Sequence, residues 1–197
     1  MSDFLALIMI VVWPVIPLWW IPVHSSAQTM NRFGILTYIV LFVIWFLFAC
    51  LIYNNRVFLL QFKMNISSVL NIAGGCLLIL GVFLQIWTVR LLTFRGIIGL
   101  PEIHHEVKGN LVTTGLFSLV RHPTYVSHTL IMGGIFFITG VITTGIVAFI
   151  DFLLIYFVII PKEEKELIGR FGEPYIRYME KVPKFFPTLK EDKKLAQ

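Results

Sequence analysis

The residues of this chain best equipped for chemistry are Arg121-His122-Pro123-Thr124-Tyr125 and, further along, Glu163-Glu164. A guanidinium is a permanent charge with several donors, suited to holding a carboxylate. An imidazole donates, accepts or shuttles a proton near neutral pH. Pro123 suits the first position of a helix, and a helix start presents free N–H groups and positive dipole to an anionic ligand group. The acidic doublet follows Pro161, where a new helix is expected to open and carboxylates favour its dipole. One carboxylate turned inward would pair a cationic ligand and the other would face solvent. Residues one apart do not share a helix face, so the doublet is not expected to act as a unit. Two plainer readings stay open beside these. The first cluster also fits a snorkelling arginine with an interfacial His/Tyr belt, and the doublet also fits simple charge complementation.

The elements that must position these groups are apolar. Hydrophobic residues make up 57% of the chain and charged residues 14%, against about 25% charged in soluble domains. That balance excludes a soluble enzyme or nucleic-acid binder and implies an all-α, polytopic membrane protein. A span needs about twenty apolar residues. Phe4–Val23 qualifies, with Pro14, Pro17 and Pro22 expected to kink or fray it, and Phe33–Tyr53 and Val69–Val89 are cleaner. Residues 90–124 read as a polar loop. Tyr125–Ile138 and Ile142–Ile160, split by the turn-like Thr139-Gly140 and Thr143-Thr144-Gly145, read as a tight helical hairpin of two short spans. Beyond Pro161 comes an amphipathic cap, with Leu167, Ile168, Phe171, Tyr175, Tyr178, Met179 and Val182 at helical spacing and Gly172-Glu173-Pro174 dividing it in two.

Five spans place every Lys and Arg except Arg56 and Lys63 on one side. The positive-inside rule makes that side cytoplasmic and the N-terminus external. Met1-Ser2-Asp3 lacks the basic flank of a signal peptide, so the first apolar run is expected to be retained. Residues 1–92 are read as membrane spans and 93–197 as the region that carries chemistry. The excursion through lipid then returns the acidic doublet to the face that holds the imidazole.

Other polar residues have narrower readings. Cys50 and Cys76 lie in apolar runs and offer neither a disulfide framework nor a metal motif. His104-His105-Glu106 lacks the spacing of a helical zinc site, and five histidines are too few for a histidine-rich di-iron centre, so no metal is expected. Asp151 falls midway along the last span and must face protein or water rather than lipid. Gly74-Gly75 and Gly81 are expected to let helices approach closely.

Leu111-Val112-Thr113-Thr114-Gly115-Leu116-Phe117, Arg121-His122-Pro123-Thr124-Tyr125, Glu163-Glu164, Phe171-Gly172-Glu173-Pro174-Tyr175, Tyr178 and Val182-Pro183 together resemble the isoprenylcysteine carboxyl methyltransferase family. The related phospholipid N-methyltransferases share the pattern, and the match covers about residues 102–187. The resemblance implies an S-adenosylmethionine-dependent methyltransferase embedded in the membrane, with the cofactor in a cytosol-facing pocket. Carried over by position, the cofactor contacts are Glu102, Gly109, Asn110, Leu111, Val112, Phe117, Arg121, His122, Pro123, Thr124, Tyr125 and Glu163, with His122 and Glu163 nearest the chemistry. The chain departs from the family in having Gly109 where His is common, Phe117 where Tyr is common, and Ile159 where carboxyl methyltransferases carry a substrate-orienting Arg.

The implied acceptor is a lipid-borne or apolar small molecule delivered from the membrane, with its reactive head at the cytosolic face. Two further classes share the scaffold: an NADPH-dependent membrane reductase of the sterol reductase type, and a non-catalytic membrane protein. The acceptor atom, the membrane and the oligomeric state are not legible in the sequence.

Overall fold

The computed structural model describes residues 2–22, 35–97 and 110–187. Among these residues the chain is helical between its connections, with one isolated β-bridge. Helix α1 runs Ser2–Pro22, α2 Ile35–Asn54, α3 Arg56–Leu60 and α4 Ser68–Ile97. A 3-10 turn at Gly115–Ser118 precedes α5, Pro123–Thr139. Helix α6 spans Ile142–Phe171 and α7 Glu173–Lys181.

Among the described residues four helical stretches are long and apolar enough to cross a membrane: Ser2–Pro22, Leu36–Asn54, Ser68–Leu92 and Ile142–Phe171. The fifth apolar helix, α5, has 17 residues and reaches only about 25 Å at 1.5 Å per residue. It is the packing centre, with α4, α1 and α6 all laid against it.

The prolines of α1 act as expected. The helix breaks into a turn at Trp13-Pro14, where Pro14 has no N–H to give. Trp45 of α2 donates to the Val11 carbonyl beside that break, at 3.0 Å.

Glycine allows α4 and α5 to touch backbone to backbone. A Cβ at Gly134 would lie 2.7 Å from the Leu78 nitrogen and 2.8 Å from the Gly74 carbonyl oxygen, and one at Gly81 would lie 2.8 Å from the Ser127 carbonyl oxygen. Gly75 faces open space instead. Helix α4 also outlasts its apolar run. It continues to Ile97, so the segment expected to be loop from residue 90 begins later. A polar stretch can stay helical once it clears the hydrocarbon.

The hairpin turns at Gly140, which has φ +64° and caps α5 through its N–H to the Phe136 carbonyl. Thr143-Thr144-Gly145, expected in the turn, lie inside α6. The turn is fastened to the α3–α4 connection through its backbone. Met64 N–H donates to the Gly140 carbonyl at 2.7 Å and Ile142 N–H to the Phe62 carbonyl at 2.9 Å.

Helix α6 corrects a second expectation. Pro161 does not open a new helix, because helical backbone is continuous from Ile142 to Phe171. The missing N–H and the crowding ring of Pro161 are accommodated by a π-helical turn over Ile155–Ile159. Glu163 and Glu164 therefore project from the body of a long helix. The polar cap divides at Gly172, φ +62°, as the sequence suggests.

Candidate functional site

Four pieces of chain meet at one end of the α5–α6 hairpin: the 3-10 turn, residues 121–125, the end of α6, and the C-terminal cap. Pro123 occupies the first turn of α5 and His122 is its N-cap, with φ −122° and ψ 60°. The cap is laid across this start. Arg121 N–H donates to the Pro183 carbonyl at 2.9 Å and His122 N–H to the Lys184 carbonyl at 3.3 Å. Tyr178 Oη donates to the Phe117 carbonyl at 2.5 Å.

The Arg121 guanidinium is the staple of the site. Its Nε and Nη2 donate to Glu164 Oε1 at 3.0 and 2.6 Å, and its Nη1 donates to the Met179 and Val182 carbonyls at 3.0 and 2.6 Å. One side chain thus joins the start of α5, the body of α6 and the end of α7. Four of its five donors are spent on protein groups, which bears on the expectation that it holds a ligand carboxylate.

His122 lies between the two acids. Its Nε2 stands 3.2 Å from Glu164 Oε1 and its Nδ1 stands 3.6 Å from Glu163 Oε2. The expectation that the doublet would not act as a unit is overturned: one imidazole has two nitrogens on opposite edges and reaches both neighbours. The roles also divide differently from the expected inward and outward pair. Glu164 is the buried member, with 10% of its side chain exposed, against 23% for Glu163. The Nε2 contact is within hydrogen-bond length, and the Nδ1 contact at 3.6 Å is an electrostatic approach. Burial by itself pushes the His122 imidazole down, but the Glu163 and Glu164 carboxylates outweigh it and hold the group above its ordinary value.

Beneath this polar layer lies an apolar floor of Tyr125, Ile155, Ile159, Ile160 and Phe185, with Ile16, Trp20 and Ile21 of α1 packed against it. The Tyr125 ring stacks on His122 with centroids 5.8 Å apart. Ile159 is fully buried here, so the position where carboxyl methyltransferases carry Arg supplies hydrocarbon.

The other expected residues are distributed as follows. Phe117 and Pro123 are buried, Leu111, Val112 and Thr124 are half-buried, and Asn110 is exposed in the extended segment before the 3-10 turn. Glu102 and Gly109 lie outside the described residues, as do His104, His105 and Glu106. Among the described residues no three His, Cys, Asp or Glu side chains gather as a metal site.

Sequence reasoning singled out Glu164 with its neighbour but not among the contacts, and it missed Tyr175 and Tyr178 as parts of this site. Their signal was present in the residues that carry the family resemblance. It was read as pattern rather than as contact.

Deeper in the same hairpin, Asp151 is 1% exposed. Trp13 Nε1 of α1 donates to its Oδ1 at 2.9 Å, and His128 Nε2 stands 3.1 Å from its Oδ2, outside good hydrogen-bond geometry. Asp151 thus faces protein, as expected, and ties α6 to α1 through Trp13.

Comparison with known proteins adds the following. The family profile described as "Phospholipid methyltransferase" matches residues 69–173, more than half of the chain. Two curated proteins match over 79 residues at 37% identity: the cobalt-zinc-cadmium resistance protein CzcN of Cupriavidus metallidurans and the nickel-cobalt-cadmium resistance protein NccN of Alcaligenes xylosoxydans xylosoxydans. Each match covers 40% of this chain and 36% or 37% of the relative, so the likeness spans little more than a third of those proteins.

Proposed function

Because this chain belongs to the phospholipid methyltransferase family, we propose that it is an integral membrane methyltransferase that uses S-adenosylmethionine to methylate a lipid-borne or apolar acceptor. The observation that carries this reading is the His122 imidazole held between Glu163 and Glu164 at the start of α5. Residues 93–197 do the chemistry in this reading and residues 1–92 serve as membrane spans. The site faces the cytosol, following the charge asymmetry.

The donor set suits the cofactor. A zwitterionic amino-acid end needs a carboxylate for its ammonium and donors for its carboxylate, and the nucleoside needs an apolar wall. Glu163, the more exposed of the two acids, takes the ammonium. The positive dipole end of α5 at Pro123-Thr124-Tyr125, with the Thr124 N–H as its donor, favours the anionic end. Leu111, Val112 and Phe117 would flank the nucleoside, with Asn110 beside them. S-adenosylmethionine, when bound, supplies a methyl group on a sulfonium that is already a good leaving group.

The protein's work is then alignment and exclusion of water. The Tyr125–Ile155–Ile159–Phe185 floor keeps the site dry from below. His122, held toward its charged form, is an anchor between the two acids. The buried Ile159 offers no cation to an acceptor carboxylate.

The test is transfer of a labelled methyl group from S-adenosylmethionine to total membrane lipid by the purified full chain. Labelled product is expected from the wild type, with a loss of a hundredfold or more for Glu163→Ala. A wild type that binds the cofactor yet labels no lipid or small apolar acceptor contradicts the proposal.

A further inference from the structure

Two tyrosines one turn apart on α7 have the same packing and opposite hydrogen bonding. Tyr178 is fastened to the Phe117 carbonyl. Tyr175, its ring centroid 5.8 Å from that of Tyr178, is 2% exposed. Its hydroxyl is buried with no hydrogen-bond partner among the described residues. Buried polar groups are nearly always paired, and leaving one unpaired costs stability. Phenylalanine would fill the same space without that cost.

The place of this hydroxyl is fixed by its helix. Arg121 Nη1 holds the Met179 carbonyl, one turn beyond Tyr175, while the other arm of the same guanidinium holds Glu164. Tyr175 therefore stands beside the Arg121–Glu164–His122–Glu163 network. The electrostatics agree. Burial first, then Glu164 and Glu163, push the phenol's ionisation up, with Arg121 opposing. The group stays neutral and is a donor.

An unspent neutral donor beside a partly exposed carboxylate suits a ligand that carries an anion and a cation side by side. Four of the five Arg121 donors are already committed, so Arg121 competes only weakly for the anion. We propose that the Tyr175 hydroxyl receives the carboxylate of the methyl donor's amino-acid end while Glu163 receives its ammonium. This rests on the reading of the chain as an S-adenosylmethionine-dependent enzyme, and it adds a cofactor-binding residue from the C-terminal cap. It also gives the cap a purpose beyond closure, because a cap that is out of place leaves the amino-acid end half held.

The test compares S-adenosylmethionine with its decarboxylated form by calorimetry, on the full chain in detergent micelles, for wild type and Tyr175→Phe. Wild type is expected to prefer the intact cofactor by about tenfold or more. Tyr175→Phe is expected to lose about tenfold for the intact cofactor and nothing for the decarboxylated one. Its ligand-free melting temperature should match or exceed the wild-type value, because an unpaired buried group has been removed. Equal affinity of wild type for both ligands overturns the inference, as does an equal loss on both ligands in the variant, unchanged affinity in the variant, or a lowered melting temperature. A wild type that binds neither ligand overturns the parent reading, an outcome distinct from a wild type that binds and a variant that is indifferent.

Discussion

Two histidine–carboxylate pairs join the same two helices, six residues apart on α5, and they are built for different ends. His122 meets Glu163 and Glu164 where α5 begins, and His128 meets Asp151 a little under two turns deeper. The outer pair is part of a network that reaches Arg121, the C-terminal cap and an unsatisfied phenol. The inner pair ends at the Trp13 indole of α1. Between them lies the apolar layer of Tyr125, Ile155 and Ile159. Like side chains thus sit in two settings: at the end of the hairpin they gather charge beside the C-terminal cap, and deep in the bundle they hold the broken α1 against the hairpin.

The contrast can be broken by substitution, and the largest effect belongs to Arg121. Arg121→Ala leaves Glu164 buried without its cation, and a buried pair broken on one side costs about 3–5 kcal/mol. Equilibrium unfolding in mixed micelles should record a loss of that order, together with release of the C-terminal cap to protease. Glu163→Gln comes next and should move binding rather than folding. Loss of one charge-assisted bond to the cofactor, about 1.5–3 kcal/mol, weakens affinity about ten- to hundredfold, with the unfolding midpoint little changed.

Trp13→Phe should show the reverse pattern at smaller size. Interhelical hydrogen bonds in membranes are worth about 0.6 kcal/mol on average and about 1.7 at most. A stability loss in that range with unchanged cofactor affinity would confirm that the inner pair is scaffolding, and a change in affinity would merge the two regions into one site.

The smallest effect is a dependence on pH. The folded protein holds His122 above its ordinary value, so the imidazolium's contribution to stability is complete below the unfolded value of about 6.5. It is lost as pH rises through the folded-state value. Thermal melting should therefore drop as the medium is made alkaline, and His122→Gln should flatten that slope.

Much of this was legible in the sequence, for physical reasons. Apolar runs of about twenty residues can be read directly, and so can the turn at Gly140 and the division of the cap at Gly172. The meeting of the imidazole with the acidic doublet also followed from a hairpin of two short spans. The arrangement of the doublet did not. Adjacent helical residues point about 100° apart, and only the placement of His122 between them reveals that both can touch one ring. Pro161 read as a helix boundary because proline removes a donor, and nothing local announces that a π turn at Ile155–Ile159 will absorb the defect. The partners of Asp151 were hidden by distance along the chain, since Trp13 lies 138 residues away. Tyr175 and Tyr178 are indistinguishable by type and spacing, and only burial with hydrogen bonding separates the fastener from the unspent donor.

The central claim is that the outer histidine–carboxylate network receives the methyl donor and the inner one does not. Calorimetric titration of S-adenosylmethionine into the full chain in micelles, with Glu163→Gln and Asp151→Asn alongside, tests it most directly. The account predicts saturable binding to wild type, equal binding to Asp151→Asn, and affinity at least tenfold weaker for Glu163→Gln. No binding to wild type, or a loss with Asp151→Asn that Glu163→Gln does not share, would contradict it.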